Sequence, residues 1–126
     1  MKLERRLALF TFGFLVLYVP FETWFSWGDG LHDPFYLVDF IGMVLLFWGA
    51  LHSRRQGYRS PGVLAAAWAW CGANFWRAFF GRVETVRAGE QLTLGTTELC
   101  IVGCATAIAL ICLAALLVLC TRRTTA

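Results

Sequence analysis

Long apolar runs alternate with short polar segments along this chain. The runs are Leu7 to Trp27, Phe35 to Leu51, Pro61 to Gly81 and Leu99 to Cys120, the last in a helix expected over about 97–120. Each is close to the ~20 residues with which a helix crosses ~30 Å of hydrocarbon. The pattern predicts an all-α integral membrane protein: a four-transmembrane-helix bundle with short loops, forming one membrane domain over residues 1–126. Composition agrees. At 59% hydrophobic and 15% charged, a chain of 126 residues has far more apolar surface than a small soluble core could hide.

Charge then orients the predicted bundle. Lys2, Arg5 and Arg6 precede the first run, Arg54, Arg55 and Arg59 fill the second loop, and Arg122 and Arg123 follow the last run. The first loop, with Asp29 and Asp33, is acidic, and the third mixes Arg82 and Arg87 with Glu84 and Glu90. The positive-inside rule places both termini in the cytoplasm. The compact layout fits a bacterial inner (plasma) membrane. The net charge of +3 reflects this distribution, so no nucleic-acid partner is expected. The bulky stretch after the first run lacks a small-residue cleavage site, which predicts a retained helix kinked at Pro20.

Local signals set the predicted helix ends. Asp33-Pro34 and Ser60-Pro61 read as N-cap followed by first helical residue. Glu98 falls in the first turn of the fourth helix, where an acid favours the dipole. Trp24, Phe25, Trp27, Phe35, Tyr36, Trp76, Phe79 and Phe80 gather near the outer boundary as an aromatic belt.

Helical periodicity brings out candidate chemistry. Stripes of Thr11, Leu15, Tyr18, Glu22 and Ser26, of Asp39, Gly42, Met43, Leu46 and Ala50, of Ala66, Trp70, Ala73, Asn74, Arg77 and Gly81, and of Glu98, Val102, Ala105, Ala109 and Cys112 each join a charge to small or polar residues. Small residues permit close helix approach, so these stripes are expected to face inward. At ~1.5 Å per residue, Glu22 and Arg77 fall roughly 8 Å below the outer boundary and Asp39 about 6 Å below it. Intramembrane charge is costly and is retained when paired or used. Arg77 is thus expected to bridge Asp39 and Glu22, with Asn74 making an interhelical hydrogen bond and Glu98 at the rim. Three acids against one arginine leave a surplus that a proton, a cation or a cationic ligand would neutralise.

Other residues say less. His32, in the outer loop near Asp29, Asp33 and Glu98, is a weak metal candidate, and no ligand spacing supports a metal. Five cysteines all fall in helical runs, so no external disulfide framework is expected. Cys100 and Cys104 resemble the thiol pair of the four-helix vitamin K epoxide reductase family, but their spacing is Cys-x-x-x-Cys and no loop cysteines accompany them. In size and in a first-helix glutamate the chain resembles the small multidrug transporters. Glu22, however, sits near the outer face rather than at mid-membrane, and the arginine bias sets one orientation. No residue roles carry over from either family.

Three functional readings follow. The first is a module binding or transporting a proton, cation or small polar ligand, with Glu22, Asp39 and Arg77 as the charged site and Trp70, Trp24 and Tyr18 as walls. The second is an accessory subunit of a larger membrane complex, or a homo-oligomer, with a structural charge layer. There the small-residue runs Ala65 to Ala69 and Gly103 to Ala107 would form partner surfaces. The third is an enzyme acting on a lipid or quinone. Nothing in the sequence establishes turnover or points to a cofactor.

Overall fold

The computed structural model describes residues 2–27 and 34–125. The chain forms four α-helices: α1 Lys2–Ser26, α2 Pro34–Arg55, α3 Gly62–Arg87 and α4 Thr96–Thr124. Each outruns its apolar stretch. α1 begins five residues before Leu7, and α3 continues six residues beyond Gly81. Apolarity marks the part of a helix that can lie in hydrocarbon. The backbone keeps its own hydrogen bonds into the interface, where polar side chains are solvated. Arg82, Glu84 and Arg87, expected in a loop, are therefore helical. α1 also runs unbroken through Pro20.

Three helices, α1, α2 from Tyr36, and α4, are long and apolar enough to cross a membrane. These suggest a membrane protein. α3 is not such a candidate, so three of the four expected spans are shown. Its 26 residues suffice in length, but its glycines, Asn74, Arg77 and Arg82 dilute the apolar content. It is nonetheless central, packing against α2 on one side and α4 on the other. α1 packs on α2 and meets α4 at few points.

The core is built around α3, but on a face other than the expected one. Leu64, Ala65, Ala67, Trp68, Cys71, Gly72 and Phe75 are buried, whereas Ala66, Trp70, Ala73, Arg77 and Gly81 are exposed. The space between α1 and α3 demands volume. Trp68 and Phe75 fill it against Phe14 and Tyr18, with Phe14–Trp68 and Tyr18–Phe75 ring centroids 5.2 and 5.4 Å apart. Buried Trp68 donates Nε1–H to Thr11 Oγ1 at 3.0 Å, and Thr11 in turn donates to the Leu7 carbonyl at 2.8 Å. The indole thus keeps its polar edge satisfied in an apolar setting. On the other three helices Thr11, Leu15, Met43, Leu46, Ala50, Ala109 and Cys112 of the expected stripes are buried, together with Ala8, Gly49, Ser53, Thr106 and Leu116 outside them.

Small residues serve this packing. Ala65, Ala67 and Thr106 are buried and Gly103 lies against Phe79, so neither small-residue run forms an open surface along its length. α2 and α3 approach closely at Gly49, where a Cβ would lie 3.0 Å from Leu64 Cα. Backbone cannot yield as a side-chain end can. Gly49→Val should therefore force α2 and α3 apart and lower stability by about 1–3 kcal/mol, the usual cost of overpacking. Gly13→Ala, with nothing within 4 Å of the added Cβ, is the matched control and should be neutral or stabilising. Thermal unfolding of both variants in a nonionic detergent checks the contrast.

Candidate functional site

At one end of the bundle, polar side chains from all four helices converge. Tyr18 projects from α1 toward α2 and donates its hydroxyl to Asp39 Oδ1 at 3.2 Å. One turn along, Glu22 accepts from Ser26 Oγ at 3.5 Å. Asp39 lies near enough to Glu22 for the two acids to act on each other electrostatically. The α1 and α2 stripes thus bring together the two acids as expected.

A cation that the stripes did not single out also lies here. Arg82 is close enough to act electrostatically on both Glu22 and Asp39. Its Nε donates to Glu98 Oε1 at 2.6 Å, and its Nη1 donates to the Ala78 carbonyl at 3.1 Å. The guanidinium also sits 6.0 Å from the centroid of the Phe25 ring. Glu98 is buried, and its second oxygen accepts the Leu94 N–H at 3.2 Å. It is thus more than a rim acid favouring a helix dipole. It ties α3, α4 and the loop between them. Arg82 continues the buried stripe of α3, which runs Leu64, Trp68, Cys71, Phe75, Ala78, Arg82, whereas Arg77 belongs to the exposed flank. Extending the correct stripe upward would have found it.

Arg77 lines a groove of about 750 Å³ between α2 and α3, together with Asp39, Asn74, Trp76, Arg82 and Glu84. Arg77 also has an interaction of its own. Asn74 donates Nδ2–H to the Trp70 carbonyl within its own helix at 2.9 Å, in place of the interhelical bond expected. Trp70 is exposed and reaches the Val38 carbonyl across the α2–α3 seam at 3.4 Å, so it does not wall the acid pair. Trp24 is likewise exposed, in keeping with an interfacial belt that includes Trp27, Trp76 and Phe80. His32, Asp29 and Asp33 lie outside the described residues. Among the described residues, no group of three His, Cys, Asp or Glu could hold a metal.

No family model matches the chain, and neither a curated protein nor a solved structure is similar to it. The reading of the site therefore rests on its chemistry.

A second polar cluster, at the opposite end, was not foreseen. Glu4 is fully buried. One carboxylate oxygen accepts from Ser53 Oγ on α2 at 2.5 Å, and the other accepts from Arg123 Nη2 on α4 at 2.8 Å. The same Nη2 donates to the Tyr58 carbonyl at 2.9 Å, and Nη1 is buried without a hydrogen-bond partner among the described residues. α1, α2, α4 and the α2–α3 loop are joined through this one acid. The signal was present: stepping back along the buried α1 stripe from Thr11 by seven residues lands on Glu4. Lys2, Arg5 and Arg6 surround it in sequence and give that segment the look of a purely basic terminus.

Proposed function

We propose that this protein is a small membrane module that binds or transports a proton, a cation or a small polar ligand at the Glu22–Asp39 pair. The observation that carries this reading is the convergence of Glu22 and Asp39 from α1 and α2, tied in by Tyr18 and Ser26, beside a groove that Asp39 lines. Arg82 is held by Glu98 in an ion pair, and charge within a membrane is retained where it is paired or used. In this reading α3 crosses the bilayer beside the three apolar helices, its polar flank facing the groove. Both termini lie on the cytoplasmic side, by the arginine distribution.

The test is proton flux into liposomes loaded with a pH-sensitive dye and reconstituted with the protein. An imposed pH gradient should be dissipated at least about tenfold faster than in empty liposomes, and Glu22→Gln and Asp39→Asn should each return the rate to background with the fold intact. If those variants instead unfold, and Arg82→Gln is rescued by adding Glu98→Gln, the layer is structural.

One feature favours the accessory-subunit reading as a second. The sparse contact between α1 and α4 leaves an apolar groove of about 550 Å³ lined by Phe14, Leu17, Phe21, Cys100, Ile101 and Cys104. A helix of another chain would fit against it. Native mass spectrometry of the complex extracted from its own membrane separates the two readings.

A further inference from the structure

The Glu4 clamp gathers the ends of three helices and a loop, and with them most of the chain's positive charge. Eight of the eleven basic residues lie on these segments, against the single acid Glu4. Glu4 is spent on Arg123. Seven cations remain, among them Arg5, Arg6, Arg54, Arg55 and Arg122, and all seven are exposed. No acid faces them from α1, α2, α4 or the 56–61 loop. At the far end the balance reverses: among the described residues, Arg77, Arg82 and Arg87 stand against Glu22, Asp39, Glu84, Glu90 and Glu98.

An orienting signal for membrane insertion requires only an excess of arginine and lysine in the loops. Here the folded structure does more. Glu4–Arg123, Ser53 and Tyr58 hold the four basic segments against one another, converting dispersed charges into one collar at a helix-bundle end. Long arginine stems can lie along the apolar helices while their heads reach the interface. Guanidinium groups pair with phosphate oxygens in bidentate fashion and without easy loss of charge. We propose that this collar is a binding surface for anionic phospholipid headgroups, through their phosphate groups. It is separate from the acid pair, and it stands whether or not that pair transports anything.

The test uses the full chain in an uncharged detergent, titrated with short-chain phosphatidylglycerol or phosphatidylcholine and read by native mass spectrometry. Phosphatidylglycerol should bind at least about tenfold more tightly, since each basic residue near an anionic surface adds a favourable increment. Raising salt from about 50 to about 500 mM should erase most of that preference by screening. The triple variant Arg5→Gln/Arg54→Gln/Arg55→Gln should lose it, whereas Arg87→Gln at the opposite end should keep it. All four positions are exposed, so folding should survive. Excess inorganic phosphate that displaced the lipid completely would show the site to be a simple anion site and overturn the headgroup assignment. Equal affinity for the two lipids, or a triple variant that still prefers phosphatidylglycerol, would overturn the proposal outright.

Discussion

Replacing Arg123 by methionine is expected to destabilise the protein by about 3–5 kcal/mol, the cost of leaving a buried charge without its partner. Glu4 has no exposed surface, and its second oxygen depends on Arg123 Nη2. Methionine preserves bulk and apolar contact while removing the charge, so the loss should report electrostatics rather than a cavity. The companion Glu4→Gln should also weaken the bundle, since it strips the counter-charge from a guanidinium whose Nη1 is already without a partner. The double variant Glu4→Gln/Arg123→Met should recover much of the loss, because no ion is then stranded. Denaturant or thermal unfolding in one detergent gives all four corners of the cycle. Single-variant losses under about 1 kcal/mol would instead place the pair among solvated surface bridges.

Trp68→Ala should be comparably severe, at about 3–5 kcal/mol, the range for deleting a large buried aromatic. Trp68 is fully buried, and its ring touches Phe10 and Phe14 of α1, with centroids 6.4 and 5.2 Å away. α1 and α3 are diagonal in the bundle, and this aromatic cluster spans the distance between them. Lipid tails solvate apolar groups as well as a protein interior does, so the loss here comes from dispersion contacts and an unfilled cavity. Trp68→Phe separates the contributions. It keeps an aromatic ring but deletes the Nε1–H bond to Thr11, and should cost about 1 kcal/mol from the hydrogen bond together with a smaller packing loss. If both substitutions cost the same small amount, the cluster does not hold α1 on α3.

The candidate site was legible in part. Glu22, Asp39 and Tyr18 could be placed together because their helices carry an internal contrast: polar and small residues on one side, lipid-soluble side chains on the other. Glu98 fell on its stripe for the same reason. α3 misled. Its small residues Ala66 and Ala73 line up with Asn74 and Arg77, which resembles a packing stripe, but the structure buries Trp68 and Phe75 instead. Small residues fit only where a neighbour's backbone comes close, and the α1–α3 diagonal is too wide for that. Arg82 continues the buried stripe of α3, which the small-residue pattern does not mark, while Arg77 lies on the exposed flank.

The chain's own pattern thus determined four helices, their order, the segregation of positive charge to one end, and the inward faces of α1, α2 and α4. Each depends on period and composition, which are local properties. The tertiary structure decided which face of α3 is buried, that Arg82 pairs with Glu98, and that Glu4 closes the opposite end through Ser53 and Arg123. Those outcomes depend on distances between helices. In a chain apolar on nearly every face, hydrophobicity no longer distinguishes inside from outside, and the shape left to be filled makes the choice.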